Sequence, residues 1–454
     1  MPSPSTGRFS SRPAAWDAKP PRPPAVVQAA EPQAHLELKV RLHEQLLDTM
    51  NLGAIDKMPS EEFVREVGEM VRDLLAKEQV PLNHREKTQL VDDILDELLG
   101  LGPLEPLLKD PSVSDILVNT YRQVMVERRG RLQMTGVRFK DDRHLLRIVN
   151  KIVAGVGRRV DESQPLVDAR LPDGSRVNVV VPPIAVDGPL VSIRKFAGSP
   201  LSLALLVEGG ALTSAMSTVL AAVVRGRLNL LISGGTGSGK TTLLTALSGM
   251  IDPGERIVTI EDAAELQMQQ PHVVRMETRP PNIEGRGEVT QRDLVRNALR
   301  MRPDRIILGE VRSAEAFDML QAMNTGHDGS MSTVHANTPR DALGRLEQMI
   351  GMVGIDMPSR SIRSQIASAI DVVIQVERMV DGKRRVVSVQ EVTGMESDII
   401  TLQEIFVFRR RVTEADGRIQ GEFMGSGIRP RFCADLAAKG QTLGDDLFPS
   451  GRLG

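Results

Sequence analysis

Residues 228–250 read LNLLISGGTGSGKTTLLTALSGM, and this stretch decides the fold of the chain. An apolar run, residues 228–232, leads into a glycine-rich turn, and residues 242–250 beyond the turn have the composition of a helix. The turn, residues 234–241, matches the phosphate-binding pattern G-x-x-x-x-G-K-[ST] in the strand-to-helix setting that gives this pattern its meaning. The stretch therefore predicts a nucleotide-binding domain with a parallel sheet, rather than a flexible glycine-rich turn.

The residue types of this loop predict its chemistry. Glycines let the backbone adopt positive φ and present N–H groups to phosphate oxygens, while the next helix directs its positive end at them. We expect Lys240 to reach the β- and γ-phosphates of ATP and the Thr241 hydroxyl to bind Mg²⁺. The dinucleotide pattern G-x-G-x-x-G fails here, because Lys240 takes the place of its last glycine. The candidate nucleotide-binding residues are Gly235, Thr236, Gly237, Ser238, Gly239, Lys240, Thr241 and Thr242.

Acidic residues follow two other predicted strands. Glu261 and Asp262 come directly after one apolar run, and Glu310 comes after another. Because the carboxyl ends of parallel strands meet at one edge of a sheet, we expect Glu261 and Glu310 to be catalytic and to hold Mg²⁺ through water. The Asp that usually ends the second strand is replaced by Gly309, so Glu310 is the expected base. Helix capping or a solvent-facing position is a sufficient explanation of Glu265.

Two histidines flank a further predicted strand, residues 329–334. His335 follows this strand beside Asn337, where an imidazole could sense a γ-phosphate, and we include it among the catalytic candidates. For His327, which precedes the strand, a structural and a catalytic role both stay open. Neither is predicted to bind zinc, since no second cluster supplies the remaining ligands.

Arginines outside the loop are candidates for contact with a phosphate. Residues 168–176 predict a hairpin tip that carries Arg170 and Arg176, and Arg194 ends the next strand. A guanidinium is always charged and forked, which suits a migrating γ-phosphoryl group, whereas solvated surface charge is the ordinary explanation of a single arginine. We assign the arginines spaced by four on one later helix to the surface or to subunit contacts. They are Arg292, Arg296 and Arg300.

The composition narrows the classes of function. The 454 residues include 57 Lys plus Arg and 59 Asp plus Glu, so the whole chain cannot hold DNA as a polycation. Aromatic residues make up 3% of it, with Trp16 and Tyr121 the only ones of their types, and platforms for base stacking are therefore scarce. Nucleic acid is accordingly not expected as a partner. The single cysteine, Cys433, allows no internal disulfide and indicates a reducing compartment.

The chain shows no targeting or membrane-spanning pattern. Its first 24 residues lack the continuous apolar stretch of a secretory signal. The most apolar long stretch, residues 201–224, is interrupted by Glu208 and by several hydroxyl residues. We expect a cytoplasmic protein, which could still dock on a membrane protein.

The pattern of the chain predicts an α/β protein of several segments. Residues 1–34 hold eight of the 28 prolines and predict a disordered Pro/Ala-rich tail. Asp381-Gly382 and Asp416-Gly417 predict hairpins that make the end of the sheet antiparallel. The remaining segments are a helical segment at 35–99, an N-terminal α/β domain at 100–200, a linker at 201–212, a nucleotide-binding core at 213–428 and a C-terminal tail at 429–454, with one helix near 434–439.

Residues from about 100 to 430 resemble the type II/type IV secretion superfamily of ATPases, and most closely the Tad-type pilus assembly ATPases. The resemblance depends on five ordered motifs in addition to the phosphate-binding loop. They are ARLPDGSRVN (169–178), SIRKF (192–196), ETRPPN (277–282), MRPDRIILGEVR (301–312) and GHDGSMSTVHAN (326–337). The four-cysteine zinc module of type II secretion relatives is missing, which favours the Tad or the type IV secretion branch.

The resemblance implies a RecA-like P-loop core at residues 213–428. Within it, residues 234–241 correspond to Walker A, Glu261-Asp262 to the Asp box, catalytic Glu310 to Walker B and residues 327–335 to the His box. It also implies a homo-hexameric ring in which Arg176 and Arg194 of the N-terminal domain approach the nucleotide.

The function implied is that of a Mg²⁺-dependent ATPase motor. Such a motor assembles, and in some systems retracts, a Tad or related type IV pilus at the cytoplasmic face of the bacterial inner membrane. Its partners would be inner-membrane platform proteins, through which it would associate peripherally with the membrane. Three other functions stay open at this point. They are a RecA-like nucleic-acid translocase, an ATPase of conjugation or type IV secretion, and a nucleotide-gated scaffold with little turnover.

Overall fold

The computed structural model describes residues from the helical segment to near the end of the chain. The described residues are Leu38, Leu42 and Leu46, followed by 60–77, 83–128, 130–196, 202–281, 285–354, 356–414 and 419–453. The predicted tail at 1–34 and the predicted turn at Asp416-Gly417 lie outside them.

The chain divides into two compact units. Of the described residues, the first unit takes in those up to 128, together with 132–169 and 177–193. The second takes in 129–131, 170–176 and 194–454. Residues 170–176, which the linear pattern assigned to the N-terminal domain, therefore group with the second unit.

The first unit begins with helices α1 (Ser60–Lys77) and α2 (His84–Leu99), which agree with the helical spacing of residues 35–99. A capping box starts α2: the side chain of Asn83 accepts from the N–H of Glu86 at 2.9 Å, and the carboxylate of Glu86 accepts from the N–H of Asn83 at 2.8 Å. The two helices share one apolar core. Its buried members are Leu38, Leu42, Leu46, Val67, Val71, Leu75, Leu90, Val91 and Ile94.

A six-stranded sheet completes the first unit, in the order β3-β2-β1-β6-β5-β4. Its strands are β1 (Val113–Thr120), β2 (Gln123–Arg128), β3 (Arg131–Met134), β4 (Leu166–Arg170), β5 (Arg176–Val180) and β6 (Leu190–Arg194). Helix α3 (Glu105–Lys109) precedes β1 along the chain, and helix α4 (Asp142–Gly155) lies between β3 and β4. Buried and exposed residues alternate along β5 and β6, as expected of a sheet with one face on a core.

The second unit contains eight described α-helices. They are α5 (Leu203–Glu208), α6 (Ser214–Arg225), α7 (Lys240–Ser248), α8 (Gln291–Ala298), α9 (Glu315–Asn324), α10 (Pro339–Gly351), α11 (Ser359–Ala369) and α12 (Phe432–Ala438). Residues 201–212 were predicted as a linker, but they include α5, and Leu203 and Leu212 are buried in the apolar core of this unit. Among the described helices, none has both the length and the apolar composition needed to cross a bilayer.

The sheet of the second unit has ten strands, in the order β16-β15-β14-β13-β12-β7-β11-β10-β8-β9. The strands that surround the phosphate-binding loop are β7 (Leu230–Gly234), β8 (Ile257–Glu261), β9 (Val273–Glu277), β10 (Arg305–Val311), β11 (Met331–Val334) and β12 (Val372–Arg378). These six pair in parallel. An antiparallel extension follows, formed by β13 (Arg384–Glu396), β14 (Ile399–Thr413), β15 (Ile419–Ser426) and β16 (Ser450–Arg452).

The core of this unit follows from the apolar strands. Every residue of β7 and of β8 is buried, because a parallel sheet is covered by helices on both faces. The predicted α/β fold, a RecA-like P-loop core preceded by a small α/β domain and a helical segment, is confirmed. The C-terminal tail also contributes to the fold, since β16 pairs with β15. Its position at the sheet edge depends on pairing with a distant strand, which the local pattern of residues 429–454 does not show.

Candidate functional site

The phosphate-binding loop lies between β7 and α7, as predicted. Gly237 and Gly239 have φ of +68° and +98°, a backbone region that favours glycine. A Cβ on Gly234 would lie 2.4 Å from the carbonyl oxygen of Val376 on the neighbouring strand, so this position also needs glycine. The conformation of the loop therefore favours glycine at three of its positions, 234, 237 and 239.

Lys240 folds back onto its own loop in this structure. Its Nζ donates to the carbonyl oxygens of Gly234 and Gly235, at 3.1 and 3.2 Å, and lies 3.7 Å from a carboxylate oxygen of Glu310. Burial lowers the pKa of Lys240, while the nearby carboxylate of Glu310 opposes this shift. The ammonium thus already sits between the loop and the proposed base.

Parallel pairing brings the predicted residues to one edge of the sheet. β11 pairs with β7 on one side and with β10 on the other, and β10 pairs with β8. The phosphate-binding loop, His335, Glu310 and Glu261 therefore all lie at the carboxyl ends of neighbouring strands. His327 precedes β11 and lies at the opposite edge, where its Nδ1 is buried with no hydrogen-bond partner among the described residues.

Glu261 is the most enclosed acid of the site, with 3% of its surface exposed. One of its carboxylate oxygens accepts from the N–H groups of Glu265 and Leu266, at 2.8 and 3.0 Å. The other oxygen, Oε1, is buried with no hydrogen-bond partner in the part of the chain that the structure describes. Burial raises the pKa of Glu261, and the two N–H bonds act against that shift.

Gly309 makes room for Glu261. A Cβ on Gly309 would lie 2.9 Å from Cγ of Glu261, a separation that real side chains do not adopt. Glycine in place of the usual Asp therefore has a steric reason, because the side chain of Glu261 on the neighbouring strand β8 occupies the space that a Cβ on Gly309 would need.

Glu310 is held by Arg312, a residue to which the sequence analysis gave no role. Nε and Nη2 of Arg312 donate to the same carboxylate oxygen of Glu310, at 2.9 and 2.5 Å. Nη1 of Arg312 donates to Asp262 at 2.7 Å, and the side-chain amide of Gln291 donates to the other oxygen of Asp262 at 2.9 Å. Arg312 thus links Asp262, which follows β8, to Glu310 near the end of β10. Its position two residues after Glu310 was the available signal for this role.

Arg176 lies at the same cleft as these acids. Its Nη2 donates to the carbonyl of Ala263 at 3.1 Å, and its Nε lies 2.9 Å from a carboxylate oxygen of Glu265. Glu265, for which helix capping or a solvent-facing position was the expected explanation, is therefore an ion-pair partner. The cleft is lined by Arg176, Thr241, Glu261, Asp262, Ala263, Glu265, Gln291, Gly309, Glu310 and Arg312.

The other predicted basic residues lie elsewhere among the described residues. Arg194 ends β6 and is exposed, and it is not among the residues that line the cleft. Arg170 forms an ion pair with Glu277 at 2.9 Å. Arg292 pairs with Asp318 at 2.7 Å.

The residues of the cleft fit Mg²⁺. Thr241, Glu261 and Glu310 offer oxygen atoms, and the buried Oε1 of Glu261 lacks a partner among the described residues. Among those residues, no group of three His, Cys, Asp or Glu could hold a metal ion by itself. Mg²⁺ commonly binds through one or two protein oxygens and completes its shell with water and phosphate, so this oxygen set suits it.

A family model described as "Type II/IV secretion system protein" matches residues 97–417, which is more than half of the chain. This chain belongs to that family. The match covers all the cleft residues, from Arg176 to Arg312, and ends after β14. The predicted membership of the type II/type IV secretion superfamily is thus confirmed.

Individual relatives agree with this membership. A Mycobacterium tuberculosis (strain H37Rv) protein, provisionally named a conjugal transfer protein, is 43% identical over 330 residues, which cover 71% of this chain and 88% of that protein. The type IV secretion system protein VirB11 of Bartonella quintana is 34% identical, with 64% of this chain and 92% of VirB11 covered. The crystal structure of the Brucella suis VirB11 ATPase with sulphate is 29% identical, with a TM-score of 0.35 and coverage of 64% and 96% of the two chains.

Proposed function

We propose that this protein is a Mg²⁺-dependent ATPase that works as a homo-hexameric motor of a secretion, pilus or conjugation machine. The observation that carries the proposal is the meeting of Lys240, Thr241, Glu261 and Glu310 at one edge of the sheet. Family membership agrees with it, because ATPases are among the solved relatives. The motor would act at the cytoplasmic face of the inner membrane and associate with the membrane through platform proteins.

Nucleotide binding requires Lys240 to move. The N–H groups of residues 235–242 would hold the phosphates, and Lys240 would exchange its two loop carbonyls for β- and γ-phosphate oxygens. Thr241 would ligate Mg²⁺, with Glu261 and Glu310 on its water shell, and the ion would neutralise charge that develops on the phosphates. The exchange is favourable because phosphate oxygens carry full charge and carbonyl oxygens carry only partial charge.

Hydrolysis requires Glu310 to orient the attacking water and accept its proton. In this structure one oxygen of its carboxylate is bound by Arg312, and the other lies near Lys240. When Lys240 turns to the phosphates, the oxygen that faced it becomes available for water. Arg312 keeps the second oxygen in place, and Arg176 brings a further positive charge to the cleft.

For the finer assignment we propose a Tad-type pilus assembly motor. The five ordered motifs support this assignment, and the single cysteine agrees with the Tad branch as it does with the type IV secretion branch. A second candidate, an ATPase of conjugal transfer or type IV secretion, is favoured by the names of the 43% and 34% identical relatives.

The proposed chemistry is tested with purified protein and two active-site variants. Glu310→Gln is expected to bind ATP as the wild type does but to hydrolyse it at least about 100-fold more slowly, because the proton acceptor is gone. Lys240→Ala is expected to lose ATP binding. Glu396→Gln, an exposed carboxylate at the end of β13, is the matched control and should leave both quantities unchanged. Wild-type turnover by Glu310→Gln would remove Glu310 as the base.

The assembly and the cargo need separate measurements. Light scattering with ATP should give a mass of six protomers, and a stable monomer at high concentration would contradict the ring. Stimulation of ATP turnover by a co-purified inner-membrane platform protein supports the pilus motor. Stimulation by single-stranded DNA that weakens with salt, with no response to platform protein, would instead indicate a nucleic-acid translocase.

A further inference from the structure

Helix α8 carries a polar residue on its buried face. Gln291, Val295 and Ala298 follow one another at spacings of four and three residues, which places them on one side of the helix. Val295 and Ala298 belong to an apolar core cluster and have no exposed surface, and Gln291 is only 7% exposed. The periodicity of α8 therefore predicts an apolar side chain at position 291, where the chain has an amide.

The carboxamide of Gln291 is hydrogen-bonded at one end only. Its Nε2 donates to Oδ1 of Asp262 at 2.9 Å, and because a carboxylate only accepts hydrogen bonds, this contact determines which end of the amide faces the acid. The other end, Oε1, is buried and has no hydrogen-bond partner among the described residues. A buried acceptor without a donor costs stability, so stability alone does not explain an amide at this position.

The start of α8 holds Gln291 in place. Gln291 is the first residue of the helix and directly follows the N-cap Thr290. The hydroxyl of Thr290 accepts from the N–H of Asp293 at 3.2 Å, and the carboxylate of Asp293 accepts from the N–H of Thr290 at 3.0 Å. This capping box fixes the backbone of the first turn, and the buried side chains of Val295 and Ala298 anchor the next two turns. Gln291 therefore faces Asp262 from a well-defined helix end.

A chain of hydrogen bonds connects this amide to Glu310. Gln291 donates to one carboxylate oxygen of Asp262, and Nη1 of Arg312 donates to the other at 2.7 Å. The same guanidinium donates through Nε to Glu310 at 2.9 Å. The orientation of Asp262 thus depends on Gln291, and the orientation of Arg312 depends on Asp262. All four residues line the cleft that also includes Thr241.

We propose that Gln291 is a positioning residue for ATP hydrolysis, which acts on Glu310 through Asp262 and Arg312. This inference rests on the proposed function, in which Glu310 accepts a proton from the attacking water. The side chain of Asp262 is 38% exposed, so without Gln291 it is free to turn towards solvent. Arg312 would then lose one of the two acids that set the plane of its guanidinium. A small displacement of a catalytic group lowers the rate much more than the affinity.

Gln291→Met removes the amide and keeps the length of the side chain. It is expected to lower kcat about tenfold, with a Kd for ATP within about twofold of the wild type, because the phosphate-binding loop is unchanged. Its Tm should equal or exceed that of the wild type, since the unpaired Oε1 is gone. Asn297→Leu replaces an exposed amide on the same helix, and as the matched control it should leave all three quantities unchanged.

Gln291→Glu gives a readout that a purely structural role would not change. The new carboxyl group would face that of Asp262, and the repulsion between two carboxylates raises the affinity of the pair for one proton. The protonated side chain again offers one donor and one acceptor, as glutamine does. The kcat of this variant, divided by the kcat of the wild type at the same pH, should therefore rise at least about threefold as the pH falls from about 8 to about 6.

A double-mutant cycle tests the route through Arg312. If Gln291 acts through this arginine, Gln291→Met should lower kcat by less than about twofold in the Arg312→Ala background, against about tenfold in the wild type. Additive losses would overturn the proposal. A wild-type kcat for Gln291→Met, or a ratio for Gln291→Glu that does not change with pH, would overturn it too. If the wild type does not hydrolyse ATP, the proposed function fails instead.

Discussion

Replacement of Gly309 by Ala tests the steric relation between β10 and Glu261. The added methyl group would stand 2.9 Å from Cγ, 3.4 Å from Oε2 and 3.5 Å from Cβ of Glu261. The carboxylate must therefore move by about half an ångström or more, which weakens its bonds from the N–H groups of Glu265 and Leu266. Overpacking of this kind costs about 1–3 kcal/mol, equivalent to roughly 2–12 °C in Tm for a domain of this size.

The same displacement should impair catalysis more than binding. Glu261 is expected on the water shell of the metal ion, and an error of about an ångström at such a group lowers kcat by about 10- to 100-fold. Steady-state ATPase kinetics, binding of ADP and thermal unfolding of Gly309→Ala give the three quantities. Gly344→Ala is the matched control, because a Cβ there meets nothing within 4 Å and α10 should gain up to about 1 kcal/mol.

A double-mutant cycle decides whether the two side chains interact as described. If the clash is the cause, Glu261→Ala removes the partner, and Gly309→Ala should cost at least about 1 kcal/mol less in that background than in the wild type. Additive losses would show that Gly309 acts in another way. Wild-type turnover and wild-type Tm for Gly309→Ala would refute the steric explanation altogether.

Three further predictions concern other parts of the second unit. Arg312→Ala should lower kcat about tenfold with little change in nucleotide affinity, because Glu310 loses the group that orients it; a larger change in Kd than in kcat would contradict this. Arg305→Met should lower the free energy of unfolding in urea by about 3 kcal/mol, because Arg305 is fully buried against Glu255 and its loss leaves a buried carboxylate with a weaker partner. Burial raises the pKa of Asp371 from 3.8 to about 6, so the folded protein binds this proton more tightly than the unfolded chain does. Asp371 should therefore contribute about 3 kcal/mol of stability below pH 3.8, and this contribution should be lost as the pH rises through 6. The Tm of Asp371→Asn should lack this loss, and parallel pH profiles for the two proteins would contradict it.

Much of the fold and of the candidate site was predictable because the signals are local. In the loop at 234–241 the glycines predict the backbone conformation, and Lys240 and Thr241 predict the chemistry. The acids Glu261 and Glu310 could be placed at one edge because each directly follows an apolar run, and parallel strands share a carboxyl edge. His335 was placed there by the same rule.

The residues that the sequence analysis missed depend on contacts between distant segments. Gln291 and Arg312 meet at Asp262, although 50 residues separate Arg312 from Asp262 along the chain. The division at residues 201–212 was misjudged for the same reason. A short helix with few charges resembles a linker in sequence. The structure shows that Leu203 and Leu212 of this segment are buried in the core.

The sequence by itself predicted a phosphate-binding loop between a strand and a helix, because backbone φ and side-chain type are local properties. Tertiary structure decided which charged side chains lie near that loop. Gly309 can be explained only when Glu261 is seen across the sheet, and Arg384 becomes a neighbour of Gly237 only through the register of β12 beside β7. The pairing of strands and the packing around them set such distances, and no short stretch of sequence contains that information.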